Sequence, residues 1–145
     1  LAQTEIKYFN HPLTHVYYFP KENLVVSILK LEAPISYENA LSNYKVIAEI
    51  SNNESVSVLF DARNLSFENV PKEVLSCMAN NEYLQNHQKF AILYSGLGQK
   101  ILGEMYIKIF KPVKPTRMFS QIHEVFSWLG IKNPTLITKH IDFTL

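Results

Sequence analysis

The 145-residue chain sets 14 lysines and arginines against 13 aspartates and glutamates, is 47% hydrophobic and 19% charged, and has one cysteine, Cys77. This composition excludes a disordered chain, a general polyanion binder, a disulfide-stapled scaffold and a cysteine-only metal site. One domain of this length buries roughly 70% of the surface its unfolded chain exposes.

No apolar run approaches the roughly 18 residues of a membrane span. The opening LAQTEIKYFNHP lacks the basic end and apolar middle of a signal peptide. With a lone cysteine, the expectation is a protein of the reducing cytoplasm.

Val16 to Phe19 (VYYF) and Leu24 to Leu31 (LVVSILKL) are rich in β-branched and aromatic residues and flank the Pro-led turn PKEN, which predicts a β-hairpin. From Ser36, the spacing of Tyr37, Ala40, Leu41, Tyr44, Ile47 and Ala48 predicts a helix with one buried face, capped by Ser36. Residues 56–62, VSVLFDA, read as a central strand covered on both faces. Pro71 then opens a second helix through PKEVLSCMANNEYLQ, with Val74, Leu75, Met78 and Leu84 as its stripe.

KFAILYS repeats the strand pattern and LGQKILGEMYIKIF the helix, with Leu97, Ile101, Leu102, Met105, Tyr106 and Ile109 facing one way. Pro112 and Pro115 stop it. TRMFS is a fifth strand, after which Ser120 caps the helix QIHEVFSWL and Gly130 ends it. Strands alternating with helices predict an α/β domain: a mixed, mostly parallel five-stranded sheet with an N-terminal hairpin, about four helices and cover on both sides. Residues 133–145 lie beyond that repeat, and three roles remain open for them: an edge strand, a contact with a neighbouring subunit, or a loose end.

The stretch FAILYSGLG, residues 90–98, raises three chemical readings. A dinucleotide fingerprint requires a third glycine where Ile101 stands, and Gly103 comes two residues late. A nucleophile elbow around Ser95 requires small residues where Leu93 and Leu97 stand. A strand-to-helix joint requires only that Ser95 cap the helix and that Gly96 and Gly98 ease the bend, and this is the preferred reading.

The histidines at 11, 15, 87, 123 and 140 show no metal-ligand spacing. Asp61, at the end of the central strand, forms with Arg63 and Asn64 a ligand-binding candidate, set against the plainer role of closing the strand and capping its turn. Lys108, Lys111, Lys114 and Arg117 make a local basic cluster that could meet an anionic lipid headgroup or an acidic partner, set against the preferred reading of a solvated face. Nucleic acid is not expected, because net charge is only +1 and no aromatic series is interleaved with the basic residues. No catalytic constellation, cofactor motif or metal set emerges.

The element order, with VSVLFDARNLSFENV, FAILYSGLGQKILGEMYIKIFKPVKPTRMFS and HEVFSWLG, resembles the STAS superfamily, in particular its anti-sigma-factor-antagonist-like (SpoIIAA-like) bacterial branch. The resemblance runs from about Val16 to Gly130. It implies a small non-enzymatic module that binds a partner protein, or a nucleotide or apolar ligand. In regulatory members of that superfamily a serine at the start of the second helix is phosphorylated; here Val70 and Pro71 occupy the position, and Ser66 lies earlier.

Two expectations follow. One is a regulatory module that meets a protein partner through the loop Asp61–Pro71, including Ser66, and the second helix from Lys72, with Ser95, Gly96 and Gly98 as further contacts. The other is a carrier or sensor of an apolar, lipid-like ligand held between sheet and helices, with the third helix lining a cavity or a homodimer contact.

Overall fold

The computed structural model describes residues 5–66 and 70–144. Its centre is a six-stranded sheet: β1 (Lys7–Asn10), β2 (Thr14–Phe19), β3 (Leu24–Leu29), β4 (Val56–Asp61), β5 (His87–Leu93) and β6 (Thr116–Phe119). The strands lie side by side in chain order. β1, β2 and β3 pair antiparallel, and β3 to β6 pair parallel.

The expected hairpin is β2–β3. Its PKEN turn is one turn of 3₁₀ helix closed by Asn23 at φ 49°, a left-handed conformation that asparagine tolerates. β1 goes beyond the expected five strands. It pairs with β2 through its backbone, while its side chains stay largely exposed, so no buried periodicity announces it.

Helices α1 (Tyr37–Ile50), α2 (Lys72–Ala79) and α3 (Leu97–Phe110) make the three parallel crossovers. Adjacent strands joined by crossovers of one hand require all three helices on one face. They share a core there with Val25, Val58, Phe90 and Ile92. α4 (Ile122–Leu129) and the single turn α5 (Thr135–Thr138) cover the opposite face, over Leu24, Val26, Leu59, Ala91 and Leu93.

The C-terminal segment is part of that second layer: Ile137, Ile141 and Phe143 are buried in it. Continuous apolar strands such as LVVSIL are explained by this double cover, since alternate residues enter different cores.

Ser36 caps α1 as expected, its hydroxyl accepting from the Asn39 amide at 3.1 Å. The buried face of α1 differs in part: Tyr37 is exposed, while Asn43 and Val46 are buried. α2 ends at Ala79, so Leu84 does not belong to its stripe; it is buried from a separate 3₁₀ turn that begins when Asn81 accepts from the Tyr83 amide at 2.8 Å. α4 is preceded by Gln121, not Ser120, and has no side-chain cap, but it ends as expected at Gly130, φ 73°.

The largest departure is α3. Leu97, Ile101 and Ile109 point to solvent, whereas Gly103 and Tyr106 are the buried positions and Leu102 and Phe110 pack against the core. The helix is apolar on two faces.

Candidate functional site

Between the sheet and α1–α3 lies an apolar cavity of about 90 Å³. Its floor is built by strand residues of one pleat face, including Ser27, Leu29, Val58, Phe60 and Ile92. Tyr44 and Ile47 of α1, Val74 and Leu75 of α2, and Leu102 and Tyr106 of α3 form the walls. No charged side chain lines it among the described residues.

Glycine gives α3 its close approach. A Cβ at Gly103 would collide with the thioether end of Met118, which also lines the cavity, so the methionine lies directly on the helix backbone.

Polar atoms gather at the end made by β2, β3 and α1. The Thr14 hydroxyl donates to Asn43 Oδ1 at 2.7 Å, and both residues line the cavity. Ser27 is 1% exposed, and its Oγ has no hydrogen-bond partner among the described residues. A buried hydroxyl without a partner carries a desolvation penalty of about 1–3 kcal/mol. Burial raises the Tyr44 hydroxyl well above the usual phenol range, with Tyr106 and Cys77 adding to it, and raises Tyr106 for the same reason, so both phenols stay neutral.

The loops at the C-terminal ends of β4 and β5 hold most of the residues singled out in the sequence. Asp61 Oδ1 accepts from the Arg63 amide at 3.1 Å, closing the turn after β4. Its carboxylate is paired with the Arg63 guanidinium at 2.9 Å, and that guanidinium also donates to the Phe143 carbonyl at 2.7 Å. Asn64 Nδ2 donates to the Leu29 carbonyl at 2.9 Å. These three side chains are thus engaged in holding β4, β3 and the C-terminal segment together.

Ser95 does not cap α3; the cap position is Gly96, without a side-chain bond. Instead Gln99 reaches back, its Oε1 accepting from the Ser95 amide at 2.9 Å while Nε2 donates to the carbonyls of Arg63 and Leu65. Gln99 therefore brings the Ser95–Gly96 joint, with Gly98 already in the first turn of α3, against the Arg63–Leu65 loop, a juxtaposition that sequence spacing does not reveal. Gly96 has φ −114°, and a Cβ there would meet nothing within 4 Å, so the bend does not require a glycine at that position.

Ser66 and Lys72 are exposed, and Pro71 is half-buried at the cap of α2. Positions 67–69 of the Asp61–Pro71 loop lie outside the described residues. Val70, where the resemblance would place a phosphorylated serine, lines the cavity. Among the described residues no three His, Cys, Asp or Glu side chains could share a metal ion, and no helix is long and apolar enough to cross a membrane.

A family model described as "Domain of unknown function (DUF7793)" matches residues 18–131. The chain belongs to that family. No curated protein and no solved structure matches it. The DUF7793 match begins within β2 and closes just after α4, so it takes in the cavity walls from α1, α2 and α3 and Ser27 on the floor. Thr14, which pairs with Asn43, precedes it, and the segment that buries Ile137, Ile141 and Phe143 follows it.

Ser27, Asn43 and Thr14 were not among the residues the sequence pointed to. The available signal is Ser27 itself, the one polar residue inside LVVSIL, where a strand covered on both faces should be wholly apolar.

Proposed function

We propose that this DUF7793 protein is a non-enzymatic binding module whose ligand is a small apolar molecule held between the sheet and α1–α3. The supporting observation is the cavity, which is framed almost entirely by aliphatic and aromatic side chains and has no charged lining among the described residues. Such a concave, apolar enclosure with a few converging polar atoms is the common form of a small-molecule site. A dry cavity of roughly 150 Å³ admits benzene. At about 90 Å³ this one suits a compact molecule and would have to open for a lipid chain.

Titrating the ¹⁵N-labelled protein with benzene should shift the amide signals of Val58, Ile92 and Leu102 together and raise Tm. Unchanged spectra and an unchanged Tm would remove this reading.

A second reading, action through a protein partner, is favoured by the outer face of α3. Leu97, Ile101 and Ile109 are 72%, 58% and 64% exposed. Ile101 and Ile109 are symmetric about Met105, so antiparallel contact of α3 with a second copy would set one against the other, the self-complementarity that a two-fold dimer requires. Sedimentation of the wild type and of Ile101→Glu tests it: a concentration-dependent dimer lost in the variant is the expected result, and a wild type monomeric at all concentrations counts against it.

The STAS-like resemblance supports both readings, since that superfamily includes protein-binding and ligand-binding modules. The single cysteine, buried and unpaired, suits the cytoplasm in either case.

A further inference from the structure

The cavity is mostly apolar, and its fully buried, unpartnered hydroxyl lies at one end. Ser27 stands on β3 opposite Val16 of β2 and Phe60 of β4. Thr14 is its diagonal neighbour on the same face, with its proton committed to Asn43. Ser27 Oγ is therefore the one cavity-lining hydroxyl that is both fully buried and without a partner among the described residues. At the far end Gln99 is polar, but its amide is already consumed by Ser95, Arg63 and Leu65. The walls towards α2 and α3 are mainly aliphatic, with Val74, Leu75, Leu102 and Met118, and the Tyr106 phenol is the one hydroxyl that α3 contributes among the lining residues.

We propose that the ligand is a small neutral molecule with an apolar ring or short chain and a single hydrogen-bonding oxygen, bound with that oxygen on Ser27 Oγ and its apolar body towards α2 and α3. The inference rests on the apolar-ligand reading and adds its chemical class and orientation. Neutrality follows from the lining: a buried anion or cation would lose its hydration with no opposite charge to replace it. The single oxygen follows from Ser27, because a ligand that supplies a donor or acceptor there removes the standing cost of an unpaired hydroxyl.

Three probes of similar size separate the possibilities: benzene, phenol, which is neutral at pH 7, and benzoate. Affinities are measured by calorimetry on the wild type, Ser27→Ala and Ser27→Cys. Phenol should bind the wild type, lose about tenfold in affinity in Ser27→Ala and less in Ser27→Cys, while benzene binds all three equally and benzoate binds none. The unliganded Ser27→Ala protein should melt no lower than the wild type, since the change deletes a hydroxyl that has no partner.

Benzene and phenol both binding with a ratio that Ser27→Ala leaves unchanged would overturn this inference and leave the apolar-ligand reading standing. Benzoate binding as tightly as phenol would overturn the neutrality. Failure of both benzene and phenol to bind the wild type would overturn both readings.

Discussion

Both ring nitrogens of His87 are buried without a hydrogen-bond partner among the described residues, and burial, with Lys114 adding to it, lowers the imidazole's pKa from 6.5 to about 4. An unfolded chain takes up this proton near 6.5 and the folded one only near 4, so between those values the unfolded state binds more protons. The stabilisation is complete above pH 6.5 and is lost as pH falls through the window, by at most about 3 kcal/mol. Wild type minus His87→Phe, followed by urea unfolding from pH 7 to pH 4, should show this slope; parallel curves would disprove it. Arg63 offers a second test, because its removal leaves the Asp61 carboxylate buried without its partner and frees the Phe143 carbonyl. Arg63→Ala should cost about 3 kcal/mol, and adding Asp61→Asn should restore part of it; an unchanged urea midpoint for the single variant would contradict the assignment. That Asp61 ends a strand was legible from its position after VSVLF, as was the plainer reading that it closes the turn. The hold of Arg63 on the Phe143 carbonyl, 80 residues later, was not, because sequence spacing carries no information about which chain segments meet.

At the scale of elements, the contact of Gly103 with Met118 couples helix position to cavity shape. Gly103→Ala gains about 1 kcal/mol of helix propensity and must displace only the flexible end of a methionine, so net stability should change by less than about 1 kcal/mol. The displaced thioether has the cavity as its nearest free space, and benzene binding should weaken; a fully retained affinity with a shifted Met118 methyl signal would show that the side chain moved elsewhere. Helices α1 to α4, the hairpin and the four parallel strands were legible because their burial follows the periods 3.6 and 2, or fills both faces; the single turn α5 was not. β1 was illegible because its side chains are mostly solvent-facing and leave no pattern. α3 was half-legible: Leu102 and Tyr106 face inward as expected, but Leu97, Ile101 and Ile109 are equally apolar, and periodicity cannot say which of two apolar faces a sheet will cover. The cavity was anticipated only as a possibility of α3, since most of its lining comes from segments far apart in the chain.

For the molecule as a whole, the two faces of the sheet are closed by different means, one by three crossover helices and the other by α4 with the C-terminal segment. Ile137 is fully buried there, and Ile137→Ala should cost about 3 kcal/mol and increase binding of a hydrophobic dye before global unfolding. A variant as stable as the wild type would mean that α4 suffices. The sequence left the role of residues 133–145 open because their apolar positions are interspersed with polar ones and follow no period long enough to read. The need for them lies in the sheet, whose second face would otherwise be covered by α4 alone. Every strand pairs with the one before it in the chain, so during synthesis the sheet grows at a single advancing edge, each helix folding over a strand pair already made. The opposite face has no such attendant until α4 and then residues 135–143 have been synthesised. Nascent chains arrested with residue 137 still inside the exit tunnel should crosslink to holdase chaperones through Leu24, Val26, Leu59 and Leu93, and chains arrested later should release them.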